Sequence, residues 1–210
     1  MSRISAYESF RDRLFAGDLK PGQFVTQREL AELAGVSLGS AREAIQRLEH
    51  DSLLKVHPQR GIQVADVTLR FIREAFQLRS ILELAAIPDY CEFHQDKAEA
   101  TLRDTNDVLQ RAQKEASAEV LSQAVDVDWR FHDELVGAIN NELVEETYQI
   151  NAVRLRLIRT NIRLSAKRVF GALEEHIAIL EACARGDAEA AQSKLSDHLS
   201  VAMQRAMEGI

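Results

Sequence analysis

The chain has 210 residues, 46% hydrophobic and 28% charged, with a formal net charge of −7 at pH 7. It is long enough to bury one large core or two small ones, and too apolar to remain disordered. No apolar run approaches the roughly 18 residues of a membrane span, the amino terminus has no apolar signal region, and two cysteines make no disulfide framework, so a reducing cytoplasm is the expected setting and no membrane partner is implied. The charge is uneven: residues 1–65 carry nine Lys and Arg against eight Asp and Glu, and residues 66–210 carry 17 against 25. The first third is therefore the part compatible with nucleic acid. Three prolines and nine glycines favour long helices over a turn-rich β fold.

In chain order, residues 4–16 (ISAYESFRDRLFA) place Ile4, Tyr7, Phe10, Leu14 and Phe15 near helical spacing. Gly17 and KPGQ (20–23) stop that helix. TQRE (26–29) predicts a capping box, with Thr26 as N-cap and Glu29 reaching back to its amide. The helix it starts ends at Gly35, a natural left-handed C-terminal position. Ser37 then caps a second helix through GSAREAIQRLEHD, and Leu30, Leu33, Val36, Ala41, Ile45 and Leu48 fill the inside of this helix-turn-helix. Leu54, Val56, Ile62 and Val64 alternate on two short strands reversed at HPQRG, which has a permissive Gly61. Helix, helix-turn-helix and hairpin, in that order, predict a winged helix over residues 1–67.

From Thr68 onward the pattern is helical at roughly 69–94, 97–115, 118–138, 142–164, 168–185 and 187–208. The expected fold is mainly α: an N-terminal winged helix-turn-helix followed, over 68–210, by an all-α six-helix bundle. Pro88, inside the first of these helices, is expected to kink or divide it.

If GVSLGSAREAIQRLE carries the recognition helix, its outward side chains meet the major groove. Those positions are Gly39, Ser40, Arg42, Glu43 and Gln46, with Ser37 at the cap. Arg42 can grip guanine with two hydrogen bonds or bind a phosphate. Arg28 and the amides at its helix start are placed for the DNA backbone. In the wing, Gln59, Arg60 and Gly61 could reach the minor groove or phosphates. The stretch LKPGQFVTQRELAELAGVSLGSAREAIQRLEHDSLLKVHPQRGIQV closely resembles the winged helix of GntR-family bacterial transcription regulators. The likeness implies DNA contacts at Arg28, Arg42 and Gly61. The family usually has an arginine directly after VS, where this chain has Leu38, so operator preference does not carry over from relatives.

Asp128 and His132, four residues apart in DVDWRFHDEL, stand on one helix face; two further histidines, His176 and His198, occur in later helices. By spacing alone they are metal ligands or a polar stripe facing water. Imidazole nitrogens with one carboxylate suit Zn²⁺, Ni²⁺, Fe²⁺ or Mn²⁺, and the absence of thiolates argues against a closed cysteine-type zinc site. Residues 69–208 resemble the all-helical FCD effector domain of the FadR subgroup, in its six-helix form. That resemblance implies that Asp128, His132, His176 and His198 converge on a divalent transition metal, zinc or nickel foremost. It also implies that Arg79, in FQLRSILEL, faces the ligand pocket; its alternative is an intrahelical pair with Glu83. In the run Arg154, Arg156, Arg159 and Arg163, the last three share a face and read as a solvated or ion-paired stripe.

The expected function is a non-enzymatic regulator: a homodimer on a pseudo-palindromic double-stranded DNA operator, its affinity set by a small carboxylate effector bound at the metal. The alternative is a helical metal-dependent phosphohydrolase, for which His132–Asp133 would need an upstream histidine; His94 is the one candidate.

Overall fold

The computed structural model describes residues 5–160, 162 and 165–209; Ile4 and Arg163 of the expectations above lie outside these. The described residues fall into two compact units. One comprises Met1–Ala75, Gln149–Ile162 and Ala206–Ile210, the other Phe76–Tyr148 and Arg163–Arg205.

In the first unit, α1 (Ala6–Phe15) begins at a capping box between Ser5 and Glu8. β1 (Phe24–Val25) precedes α2 (Gln27–Ala34). Both bonds of the Thr26–Glu29 box are present, with the Glu29 amide donating to Thr26 Oγ1 at 3.1 Å and the Thr26 amide to Glu29 Oε2 at 2.6 Å. Gly35 closes α2 at φ 66°, the left-handed conformation expected of it. α3 (Leu38–His50) starts at Ser37, whose Oγ accepts from the Ser40 amide at 3.1 Å. The apolar faces of α1, α2 and α3 close over Phe10, Leu14, Leu30, Ala41, Ile45 and Leu48, all buried.

The hairpin is β2 (Leu54–His57) and β3 (Gly61–Val64). The sheet order is β1-β3-β2, with Val25 opposite Ile62 and Val56 also opposite Ile62. Two residues are too few to print an alternation, so β1 was not legible in the sequence. Gly61 is required twice over: its φ is 99°, and a Cβ there would stand 3.0 Å from the Val25 carbonyl oxygen. Also in this unit, Arg154 donates from Nη2 to Ser52 Oγ at 2.7 Å.

The remaining helices are α4 (Leu69–Phe93), α5 (Gln95–Lys114), α6 (Ala118–Gly137), α7 (Glu142–Thr160), α8 (Ala166–Ala184) and α9 (Ala188–Met207). In the second unit α5, α6 and α8 pack on one another. A larger core includes Ile87, Tyr90, Phe131, Leu135, Ile179, Leu180, Leu195 and Leu199; a smaller one gathers Val108, Val127, Val169 and Leu173. Pro88 does not divide α4, which runs unbroken through it. A proline at 88 cannot donate to the carbonyl of Leu84. Gln192 Nε2, from α9, donates to that carbonyl at 3.0 Å instead, so the orphaned acceptor is satisfied and the helix continues.

Candidate metal centre and DNA-reading face

His132 on α6, His176 on α8 and His198 on α9 come together in the second unit, with one ring nitrogen of each within 4.8 Å of the others. Burial is nearly complete, at 0%, 0% and 5% exposure. The Nε2 atoms of His176 and His198 are 3.2 Å apart, and Asp128 Oδ1 lies 3.6 Å from His176 Nε2. The rings of His132 and His198 stack with centroids 5.5 Å apart, and those of His132 and His176 meet edge-on at 4.9 Å. The i,i+4 spacing of Asp128 and His132 sets both on one face of α6; helix packing supplies the other two.

Two carboxylates orient the rings from behind. Glu83 Oε2 lies 2.8 Å from His132 Nδ1, and Glu175 Oε2 lies 2.7 Å from His198 Nδ1. Each Nδ1 is thus the ring atom engaged by a carboxylate, and each Nε2 is the one left to the common centre. His132 Nε2 is buried there without a hydrogen-bond partner. Burial drives the His132 and His176 pKa values well below the ordinary 6.5, reinforced by Arg79 for His132 and by His198 for His176, with Asp128 pulling the other way. These two rings are therefore neutral at pH 7, the form that ligates a metal.

Glu83 is shared further. Arg79 Nε donates to Glu83 Oε1 at 2.7 Å, and the Tyr148 hydroxyl donates to the same oxygen at 3.3 Å. Burial works against the Arg79 charge, but Glu83, with Tyr148 and Asp128, together outweigh it and the guanidinium pKa is raised. The intrahelical Arg79–Glu83 pair is thus present, yet it uses one nitrogen. Nη2 of Arg79 is buried with no partner. Glu83, Glu175 and Tyr148 were missed as site residues. The only signals for them were Glu83 four residues after Arg79 and Glu175 directly before His176. His94, the upstream histidine of the phosphohydrolase alternative, precedes α5 beside Tyr90 and is not among the clustered groups.

In the first unit Gly39, Ser40, Arg42 and Gln46 are exposed along α3. Ser37 Oγ is occupied as the N-cap. Arg28 is exposed on α2, its Nε 3.3 Å from Glu32 Oε1. At the wing, Arg60 is exposed with its guanidinium 5.1 Å from the Phe24 ring centroid, and Gly61 follows it at the start of β3.

A winged helix with an exposed, polar second helix, joined to an all-helical unit, defines a DNA-binding transcription regulator. Residues 4–64 match the family described as bacterial regulatory proteins, gntR family, and residues 74–201 match the FCD domain. The chain belongs to the FCD-domain regulators of the gntR family. It is 25% identical over 202 residues to the HTH-type transcriptional regulator YdhC of Bacillus subtilis, covering 94% of this chain and 87% of that one. Its fold is similar to that of the Escherichia coli protein McbR/YncC, with a TM-score of 0.80 and 24% identity over 99% of each chain. It is also similar to a Zn²⁺-bound FCD domain, TM0439, with a TM-score of 0.55 and 24% identity over 69% of this chain and 96% of that one. No helix among the described residues is long and apolar enough to cross a membrane.

Proposed function

We propose that this regulator senses a small carboxylate through a divalent transition metal, zinc or nickel, held by Asp128, His132, His176 and His198, and that occupancy of this site alters its affinity for a DNA operator. The reading rests on one observation above all: a buried imidazole nitrogen, His132 Nε2, faces two further imidazole nitrogens and has no hydrogen-bond partner. An unsatisfied buried polar atom costs about 1–3 kcal/mol, a penalty that coordination removes. The donors fit the group. A separation of 3.2 Å between two nitrogens is close to what two ligands at about 2.0–2.1 Å from one ion require. A single carboxylate with three imidazoles is also a borderline-soft set. When bound, such an ion supplies a Lewis-acid point with positions left open for an anionic oxygen.

The residues around the centre give it direction. Glu83 and Glu175 fix the tautomers of His132 and His198. Arg79 holds a positive charge in the same environment, and its free Nη2 is suited to one carboxylate oxygen of the effector. An effector anchored by both would bridge α4 to the histidine helices, favouring one arrangement of the bundle over another.

In the first unit, Arg42, Ser40, Gln46 and Gly39 would face base edges, Arg28 the phosphates, and Arg60 with Gly61 the groove beside the wing, with Ser37 holding the start of α3. Two copies on a two-fold axis would present two such helices to a pseudo-palindromic operator. In the test, a fluorescent operator fragment is titrated with the metal-loaded protein against a panel of mono-, di- and tricarboxylates. One acid should change operator affinity by about 5–150-fold. Asp128→Ala with His132→Ala should remove that response and leave operator binding in place; a double variant that still responds fully would show that the centre is not the sensor.

A further inference from the structure

The exposed large hydrophobic side chains of the described residues include one on α3, Leu38, which is 55% exposed. It occupies the first position of that helix, directly after the Ser37 cap. Its backbone is fixed: its carbonyl accepts from Gln27 Nε2 at 2.8 Å, and the cap holds the turn that follows. The side chain therefore has a defined direction and little of the protein to pack on.

An isobutyl group can neither donate nor accept a hydrogen bond, so it does nothing for a phosphate or a base amine. The one apolar group that base pairs display in the major groove is the C5-methyl of thymine. Next to Leu38, Gly39 leaves room for a close approach, since a Cβ there would meet nothing nearer than Ser37 Oγ at 3.8 Å. Arg42 stands four residues on, so Leu38 and Arg42 share a helix face.

We infer that Leu38 is a specificity-determining residue that reads a thymine methyl group in the major groove. It does so beside the contact made by Arg42. Four residues of helix rise about 6 Å and base pairs stack about 3.4 Å apart, which puts the two contacts within about two base pairs of each other. The inference rests on the assignment of α3 to the major groove. It adds to that assignment the identity of a base.

The experiment selects binders from a randomised double-stranded DNA pool with the full-length protein, then replaces each thymine of the enriched sequence in turn by deoxyuridine, which lacks only the methyl. At one position the replacement should weaken wild-type binding about fourfold, the worth of burying one methyl-sized apolar group. The same replacement should leave Leu38→Ala binding unchanged. The inference is overturned if no deoxyuridine substitution weakens the wild type, or if Leu38→Ala loses as much as the wild type does. If no sequence is enriched at all, the placement of α3 in the groove fails first and this reading falls with it.

Discussion

Glu83 accepts from Arg79 and Tyr148 on one oxygen and faces His132 on the other, all of it buried. Replacing one member of such a set leaves a charge or donor in the core without its counterpart, at a cost of about 3–5 kcal/mol. Glu83→Gln is therefore expected to lower stability by that order in urea denaturation. It should also weaken Zn²⁺ binding by roughly 10–100-fold in calorimetric titration, because the ring it orients would lose its fixed tautomer. An unchanged zinc affinity would reduce Glu83 to a packing residue. The buried histidines also set a pH dependence. Their folded pKa values lie below the unfolded value of 6.5, so the unfolded chain binds more protons in the interval between. The stability due to their burial is complete above about pH 6.5 and is lost as the pH falls through the depressed values. Chelator-stripped protein should accordingly show a falling urea midpoint from pH 7 toward pH 5; a midpoint that rises over that range would contradict neutral rings. Asp128 and His132 were legible in the sequence because a four-residue spacing on one helix is local information. Glu83 and Glu175 were not, because what makes each matter is a histidine 49 or 23 residues away along the chain.

Among the elements, α4 shows how far local rules carry. Its length was readable from periodicity, and so was the disturbance expected at Pro88. The compensation was not, because Gln192 lies more than a hundred residues further on. Gln192→Ala should cost about 1–3 kcal/mol by leaving the Leu84 carbonyl unsatisfied. Adding Pro88→Ala to that variant should recover most of the loss, since an amide at 88 restores the intrahelical bond. A double variant no more stable than Gln192→Ala alone would show that the glutamine acts otherwise. The helix-turn-helix was readable nearly residue by residue, because capping box, left-handed glycine and serine cap are all contiguous signals. β1 was invisible for the opposite reason: its pairing to β3 spans almost forty residues and involves two.

On the scale of the whole molecule, the near-neutral first third contains the residues matched to the gntR family, and the acidic remainder contains the FCD domain. A metal ion held by α6, α8 and α9 would tie together helices that the sequence only lists in order. Any ligand binding the folded state alone stabilises it by mass action, about 2.7 kcal/mol at a hundredfold excess over Kd. Metal analysis of the full-length protein, equilibrated with Zn²⁺ or Ni²⁺ and freed of loosely bound ions, tests the central claim most directly. One ion per chain is expected in the wild type and close to none in Asp128→Ala/His132→Ala. A wild type that retains no ion, or a double variant that retains as much, would contradict the metal centre.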